Sequence, residues 1–146
     1  MYSLRFDFET GDWDFSDRRG VTVSGVERLR QMLNMWLSEA RGVDRFHTGY
    51  GSMLGRMIGS PGDDNMRRNI EQEIRTVVNA YIEMINQDFQ RNPSAYTRDE
   101  VPLQIILIDS RWSSGRLEYG AIGDVLSCDI YIRTMAGTTD TVSLQV

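Results

Sequence analysis

The chain has 146 residues, of which 40% are hydrophobic and 25% are charged, and its formal net charge is −5. This length and composition predict a single compact domain that spans residues 1–146. The acidic balance argues against a general nucleic-acid binder, because phosphates attract clustered positive charge. The sequence has no apolar run of roughly eighteen residues and no secretory signal, so we expect neither membrane insertion nor export, and we predict folding in a cytoplasm.

The N-terminal part of the sequence predicts a strand, a loop and a helix. Apolar and charged residues alternate with a period of two at Leu4, Phe6 and Phe8, which indicates a strand. A turn at Thr10–Asp12 and a loop over residues 13–20 follow. Ser24 and Glu27 have the spacing of a capping box, so a helix is predicted to begin at about Gly25 and to end in a left-handed cap at Gly42. Its apolar stripe consists of Val26, Leu29, Met32, Leu33, Trp36, Leu37 and Ala40.

The central part of the sequence predicts two more helices. Residues 52–58 form a short one, which the breakers Gly59–Gly62 end. Asp63 or Asp64 caps a second long helix, which ends at Asn92–Ser94. Apolar residues hold a period of 3.6 throughout it: Met66, Ile70, Ile74, Val77, Val78, Tyr81, Ile82, Ile85 and Phe89.

Three strands are predicted in the C-terminal part. Residues 103–108 are apolar on both faces, which is typical of a central strand covered by helices. Residues 125–135 alternate, with Leu126, Cys128, Ile130 and Ile132 on the inner face. Residues 141–146 alternate again, with Val142, Leu144 and Val146 inward. The predicted fold class is α+β, a mainly antiparallel sheet of about four strands with two long helices and one short helix on one face.

The reactive side chains predict no catalytic, metal or cofactor site. Cys128 lies in an alternating segment and is interpreted as a small buried apolar residue, with a reactive thiol as the less favoured alternative. His47 has no partner at zinc-ligand spacing, so we interpret it as a surface loop histidine. Five acidic residues lack the spacing of a calcium loop and predict a solvated acidic face: Asp7, Glu9, Asp12, Asp14 and Asp17.

The first helix is followed by a glycine corner, an acid–Arg–aromatic step and a Tyr–Gly pair that opens a short helix. The residues are Arg41 and Gly42; Asp44, Arg45 and Phe46; and Tyr50 and Gly51. This pattern resembles the baseplate wedge, or tail sheath initiator, family of contractile phage tails, a group part of which is described as lysozyme-like. Members often carry Glu-Pro-Arg after the second helix, a trio linked to docking on the wedge's helical core bundle. The string here is Glu100-Val101-Pro102-Leu103, which lacks the arginine.

The resemblance implies a structural virion protein rather than an enzyme. Such a protein joins the baseplate wedge to the sheath in the tail baseplate, after assembly in the host cytoplasm, and templates the first sheath ring by β-strand addition. The implied partners are the tail sheath protein and other baseplate wedge proteins, with tube or hub proteins as further candidates. From the charge and the motifs of the sequence itself, no nucleic acid, membrane or cofactor is expected to bind.

We assign the accepting edge to the C-terminal strand or to its neighbour, residues 125–135, because neither contains proline and the last segment carries no charged side chain. The predicted partner-binding residues are Thr141, Val142, Ser143, Leu144, Gln145 and Val146. The alternative is an ordinary edge strand without a partner. Deletion of residues 139–146 is expected to leave a folded domain that no longer seeds sheath polymerisation.

Other interpretations stay open. A regulatory protein-binding module is one, since a bacterial anti-adaptor that protects a stress sigma factor is similar in fold. A cell-wall hydrolase would need two carboxyl groups about 5–10 Å apart. Glu71 and Glu73 are candidates, but they are predicted to be exposed on the polar side of the second helix, which makes them poor general acids. Arg45 is either an ion-pair residue, with Asp44 or Glu39, or an exposed loop charge.

Overall fold

A computed structural model describes residues 3–7, 12–14, 21–57, 62–116 and 122–146. These residues form two α-helices and seven β-strands. The helices are α1 (Gly25–Ser38) and α2 (Asp64–Arg91). The strands are β1 (Ser3–Leu4), β2 (Phe6–Asp7), β3 (Asp12–Trp13), β4 (Thr22–Val23), β5 (Pro102–Arg116), β6 (Ile122–Thr134) and β7 (Thr139–Gln145). Two short 3-10 turns occur, at Leu54–Arg56 and Pro93–Ala95, and the first lies inside the predicted short helix.

Several predicted features lie outside the described residues. They are Phe8, Glu9, Thr10, Gly11, residues 15–20 with Asp17, and residues 58–61.

Helix α2 has the bounds that the sequence predicts. Asp63 is its N-cap, and its carboxylate accepts a hydrogen bond of 2.7 Å from the Met66 N–H. Asn92 and the proline after it end the helix, because proline has no N–H to donate and clashes with the preceding turn. The apolar stripe predicted from the 3.6-residue period is the buried face.

Helix α1 begins at Gly25 as predicted. The capping hydrogen bond at its start and the position of its last residue differ from the prediction. The Ser24 side chain makes no capping hydrogen bond. Gly25 has φ +61°, and this left-handed turn separates Ser24 from the helical N–H groups. At the other end the helix stops at Ser38, and Gly42, with φ +84°, occupies a tight turn in which the Val43 N–H donates to the Ala40 carbonyl.

The main sheet is antiparallel with the order β5-β6-β7. The α+β class is confirmed, but the sheet has three strands in the described residues instead of about four. The prediction that residues 103–108 form a central strand was wrong, because among the described strands β5 pairs with β6 alone. Strand β6 is the central one, so residues 125–135, the alternative assignment of the accepting edge, do not form a free edge of this sheet.

The short N-terminal strands form two separate antiparallel pairs, β1 with β4 and β2 with β3. The predicted alternating strand is interrupted at Arg5, whose N–H donates to the Val21 carbonyl. Gln31 of α1 attaches this region to the helix: its side chain accepts from the Phe6 N–H (2.8 Å) and donates to the Leu4 carbonyl (2.7 Å).

The core lies between the two helices and one face of the main sheet. The four predicted inner residues of β6 are fully buried, and Val142 of β7 is 1% exposed. Side chains from α1 and α2 complete the cluster, among them Leu29, Leu33, Trp36, Ile74, Val78 and Tyr81. Burial of each such side chain contributes about 1.5–3 kcal/mol. The opposite face of the sheet carries the polar positions of the alternating strands.

A buried ion pair joins α1 to the segment before β5. Arg28 Nη1 lies 3.7 Å from Glu100 Oε2, and both side chains are almost entirely buried. The Glu100 carboxylate also accepts from the Thr97 N–H (2.7 Å), and the Arg28 guanidinium lies over the Tyr96 ring. Arg28 is not one of the apolar residues from which the buried stripe of α1 is predicted, so the local pattern gives no signal of this contact.

Candidate partner-binding site

The segment after α1 that carries the glycine, Asp-Arg-Phe and Tyr-Gly pattern forms a closed loop. The Arg41 N–H donates to the Ser52 carbonyl (2.9 Å) and the Ser52 N–H donates to the Glu39 carbonyl (2.8 Å). The buried Ser52 hydroxyl also donates to the Leu37 carbonyl (2.6 Å). These bonds fix the two ends of the segment that we call the 41–51 loop.

Helix α2 adds a further attachment through Glu73. Its Oε1 accepts from Arg41 Nη2 (2.7 Å) and from the Met53 N–H (2.9 Å). Glu71, on the same helix, accepts a hydrogen bond from the Ser110 hydroxyl. The expectation that both glutamates are exposed was wrong: each is partly buried and hydrogen-bonded to a neighbouring element.

The Tyr50–Gly51 pair holds the loop against the core. The Tyr50 ring packs edge-to-face on Trp36, with ring centroids 5.0 Å apart, and Trp36 packs in the same way on Tyr81. Burial raises the pKa of Tyr50. Gly51 has φ +93°, and a Cβ built there would lie 2.8 Å from the Glu39 carbonyl oxygen. The close approach of the two loop ends therefore depends on glycine.

The tip of the loop is ordered by Asp44. Its Oδ1 accepts from the N–H groups of Phe46 (2.8 Å) and His47 (3.2 Å), and its Oδ2 lies 3.2 Å from His47 Nδ1. The hydrogen bond from the Phe46 N–H is the main cause of the lowered pKa of Asp44. In this turn Phe46 is 92% exposed, and Val43 of the same loop is 61% exposed. His47 is exposed, as predicted.

Arg45 is an exposed loop charge, which was the second of the two interpretations of this residue. The residue is exposed and has no ion pair with any residue that the structure describes, including Asp44 and Glu39. The loop tip therefore presents an aromatic side chain next to a cation. Aromatic residues and arginine are the types most often found at the centres of protein interfaces.

The second surface is the outer edge of β7. Leu126 and Val146 exchange both backbone hydrogen bonds, at 2.9 Å each, so in β7 the even-numbered residues bond to β6 and the odd-numbered ones point away from it. The outward backbone groups belong to Thr139, Thr141, Ser143 and Gln145. In the described part of the chain no backbone group bonds to them.

The six predicted partner-binding residues therefore divide into two sets. Thr141, Ser143 and Gln145 offer backbone groups outward, whereas Val142, Leu144 and Val146 bond to β6 and pack on the core. Deletion of residues 139–146 would remove core side chains together with the edge. A substitution confined to the outward positions is the cleaner test.

The charged residue of β7, Asp140, is directed toward helix α1 and not toward the outer edge. Asp140 is 6% exposed, and its carboxylate binds the Arg30 guanidinium of α1, with Nε 3.0 Å from both oxygens. The hydrogen bond to Asp140 raises the pKa of Arg30. From Thr141 to Val146 the edge carries no charged side chain that would oppose an added strand.

Other candidate chemistry finds little support among the described residues. Cys128 is fully buried, which confirms its interpretation, and burial raises the pKa of its thiol to about 11. No group of three metal-ligating side chains occurs in the part of the chain that the structure describes. A cleft of about 250 Å³ lies between Phe6, Val23 and Arg30, smaller than most ligand pockets, which enclose about 300–1,000 Å³. None of the described helices has the length and apolar character needed to cross a membrane.

Comparison of the chain with family models, with curated proteins and with solved structures gives no match in any of the three.

Proposed function

We propose that this chain is a non-enzymatic assembly protein that binds another protein by strand addition at the outer edge of β7. The observation that carries the proposal is the row of outward N–H and C=O groups on Thr139, Thr141, Ser143 and Gln145. An extended foreign segment can satisfy such groups, and its main-chain hydrogen bonds supply the affinity. The partner strand would extend the three-stranded sheet to four strands.

The setting that we propose is the baseplate of a contractile tail, with the tail sheath subunit as the strand donor. The support for this setting is the resemblance of the Gly42–Gly51 pattern to the sheath initiator family. The exposed Phe46 and Arg45 provide a second contact, which in this setting would reach a neighbouring wedge, tube or hub protein. No observation favours the regulatory or hydrolase alternatives: Glu71 and Glu73 are engaged in hydrogen bonds between elements.

Ser143→Pro tests the edge directly. The Ser143 N–H points away from β6, so proline there removes an outward donor without removing a hydrogen bond between β6 and β7. Ser143→Ala is the matched control, because it keeps the N–H and loses only the hydroxyl, which donates to Asp129 (2.6 Å).

Each protein would be mixed with the sheath subunit encoded in the same genome, and sheath polymerisation would be followed by light scattering. We expect Ser143→Ala to seed like the wild type and Ser143→Pro to seed at least about tenfold less, which corresponds to about 1.4 kcal/mol. Circular dichroism would verify that both variants are folded. Equal seeding by a folded Ser143→Pro variant would overturn the strand-addition model.

The biological setting has its own test. Deletion of the gene should give particles in which electron microscopy shows tail tubes without sheath, and the Ser143→Ala gene should restore the sheath. Intact contractile tails in the deletion mutant would exclude a role in sheath initiation.

A further inference from the structure

The second free edge of the main sheet belongs to β5. The backbone groups of successive residues in a strand point to opposite sides. Because those of Leu126 bond to β7, those of the odd-numbered residues of β6 bond to β5. The residues of β5 that receive these bonds are Asp109, Arg111 and Ser113. The backbone groups of Ile108, Ser110 and Trp112 consequently point outward. Among the residues that the structure describes, no backbone group bonds to them.

This edge is regular over a limited length. Pairing between β5 and β6 is irregular at Pro102/Gln104 and at Ile105/Leu107, and it is continuous from Leu107 onward. Such bulges bend a strand and restrict pairing along its edge. The segment 107–113 contains neither proline nor lysine, the residues that commonly protect an edge. It extends three residues on each side of Ser110, and Leu107 at its start is 51% exposed.

We propose that the β5 edge pairs with the β5 edge of a second copy of this chain, antiparallel and with the two-fold axis at Ser110. In this register the outward backbone groups of the two copies face each other, as a hydrogen-bonded pair requires. Ile108 lies opposite Trp112 of the second copy, an aromatic and β-branched pair on the inner face. Asp109 lies opposite Arg111 of the second copy. The two-fold axis generates the same ion pair a second time, between Arg111 of the first copy and Asp109 of the second.

The charges select this register from its neighbours. An axis at Asp109 would place the two copies of Asp109 opposite each other, and an axis at Arg111 would do the same for the two arginines. Like charges directly opposite in a sheet are destabilising. An axis at Ile108 or Trp112 would leave both charged residues without a complementary residue opposite.

The charges already present on this face support the pairing. Asp109 lies directly opposite Asp129 of β6, and Arg111 of the same strand forms an ion pair with Asp109. Two carboxylates thus share one nearby arginine on the open face of the sheet. Pairing of the two copies would bring a second arginine to each Asp109.

The dimer is independent of the proposed function, because it uses β5 and leaves the outer edge of β7 free. It would join the two main sheets into one six-stranded sheet. Loss of sheath seeding and loss of dimerisation would therefore be caused by different substitutions.

A charge exchange provides the test, with the full-length protein in sedimentation equilibrium. Asp109→Arg places two arginines opposite each other in a homodimer, and Arg111→Asp places two aspartates opposite each other. We expect the wild type to dimerise and each variant alone to dimerise at least about tenfold more weakly. An equimolar mixture of the variants should form a heterodimer, because each substituted residue then meets the opposite charge. Arg133→Asp is the control: it changes an exposed charge on the central strand and should leave the dimer unchanged.

Hydrogen exchange on the wild type gives a measurement that needs no variant. The amides of Ile108, Ser110 and Trp112 should become more protected as the protein concentration rises. A wild type that stays monomeric, variants that dimerise as well as the wild type, or a mixture that stays monomeric would each overturn the proposal.

Discussion

Gly51 occupies a position where a side chain would strain the backbone and collide with it. Its φ is +93°, and an added Cβ would lie 2.8–2.9 Å from backbone atoms of Glu39 and Ala40. We expect Gly51→Ala to lower the free energy of unfolding by about 1–3 kcal/mol. Urea unfolding would measure this change as a lower midpoint at an unchanged slope.

Gly49→Ala is the control for this measurement, because Gly49 has open space around its Cα and no left-handed φ. A similar loss of stability in both variants would contradict the role assigned to Gly51.

Asp44 gives the loop tip a defined response to acid. Hydrogen bonds, above all from the Phe46 N–H, hold its folded-state pKa below the ordinary aspartate value. A lowered pKa means that the carboxylate stabilises the turn above the unfolded-state value and that this contribution is lost as the pH falls through the folded-state value. We expect the amide resonances of Phe46 and His47 to titrate with a midpoint below that of an exposed aspartate.

Asp44→Asn should abolish this titration in the same NMR experiment. A wild-type midpoint at or above the ordinary aspartate pKa would contradict the hydrogen-bonded turn.

The Arg28–Glu100 pair is expected to matter more for stability than a surface ion pair would. Removal of one partner of a buried pair costs about 3–5 kcal/mol, because the remaining charge stays in a poorly solvated site. We expect Arg28→Met to cost about 3 kcal/mol in the free energy of unfolding. The double variant Arg28→Met/Glu100→Gln should cost less than the sum of the single changes, and additive effects would argue against coupling.

At the scale of elements, the two helix caps differ in a way that unfolding experiments can detect. Asp63 accepts the Met66 N–H, whereas Ser24 makes no side-chain capping bond. Asp63→Ala should therefore destabilise the protein by about 1 kcal/mol. Ser24→Ala should change its stability by less than about 0.5 kcal/mol. Equal effects of the two substitutions, measured by urea unfolding, would contradict these cap geometries.

The elements that the sequence predicts well are those with a long, regular pattern. The stripe from Met66 to Phe89 holds one period over the length of α2, and the alternation around Leu126 and Ile132 identifies the two faces of β6. These patterns depend on residues close in sequence, so local reasoning is sufficient. The outward and inward residues of β7 follow from the same alternation.

The features that sequence reasoning missed depend on contacts between distant residues. Residues 103–108 look central because they are apolar on both faces, yet Leu103, Ile106 and Leu107 are exposed on an edge strand with bulges. Which strand lies at the edge is decided by pairing order, which alternation does not encode. The closure of the 41–51 loop likewise depends on Glu73, a residue of another helix.

At the scale of the whole molecule, one core contains side chains from both helices and from the main sheet. The single-domain expectation predicts one cooperative unfolding transition. Tryptophan fluorescence, which includes the buried Trp36, and far-ultraviolet circular dichroism should give the same urea midpoint at low protein concentration. Separate midpoints would indicate units that unfold independently.

The two free edges of the main sheet have different characters. The edge of β5 matches itself through Asp109 and Arg111, whereas the edge of β7 carries no charge from Thr141 to Val146. In the proposed dimer the strand order would place the two β7 edges at opposite ends of the joined sheet. Such a dimer could bind two partner strands at once, and the second binding event would then benefit from a raised effective concentration.

The 41–51 loop has two kinds of position: its ends, which are fixed by contacts with the rest of the protein, and its tip, where the side chains are free to vary. Its ends are held by Arg41, Gly51 and Ser52, while the residues from Val43 to Gly49 are exposed, with the exception of the half-buried Asp44. Homologues that recognise different neighbours could therefore diverge within this short stretch and keep the same scaffold. For the same reason, the bond between Thr48 and Gly49 is a suitable place to insert an epitope tag.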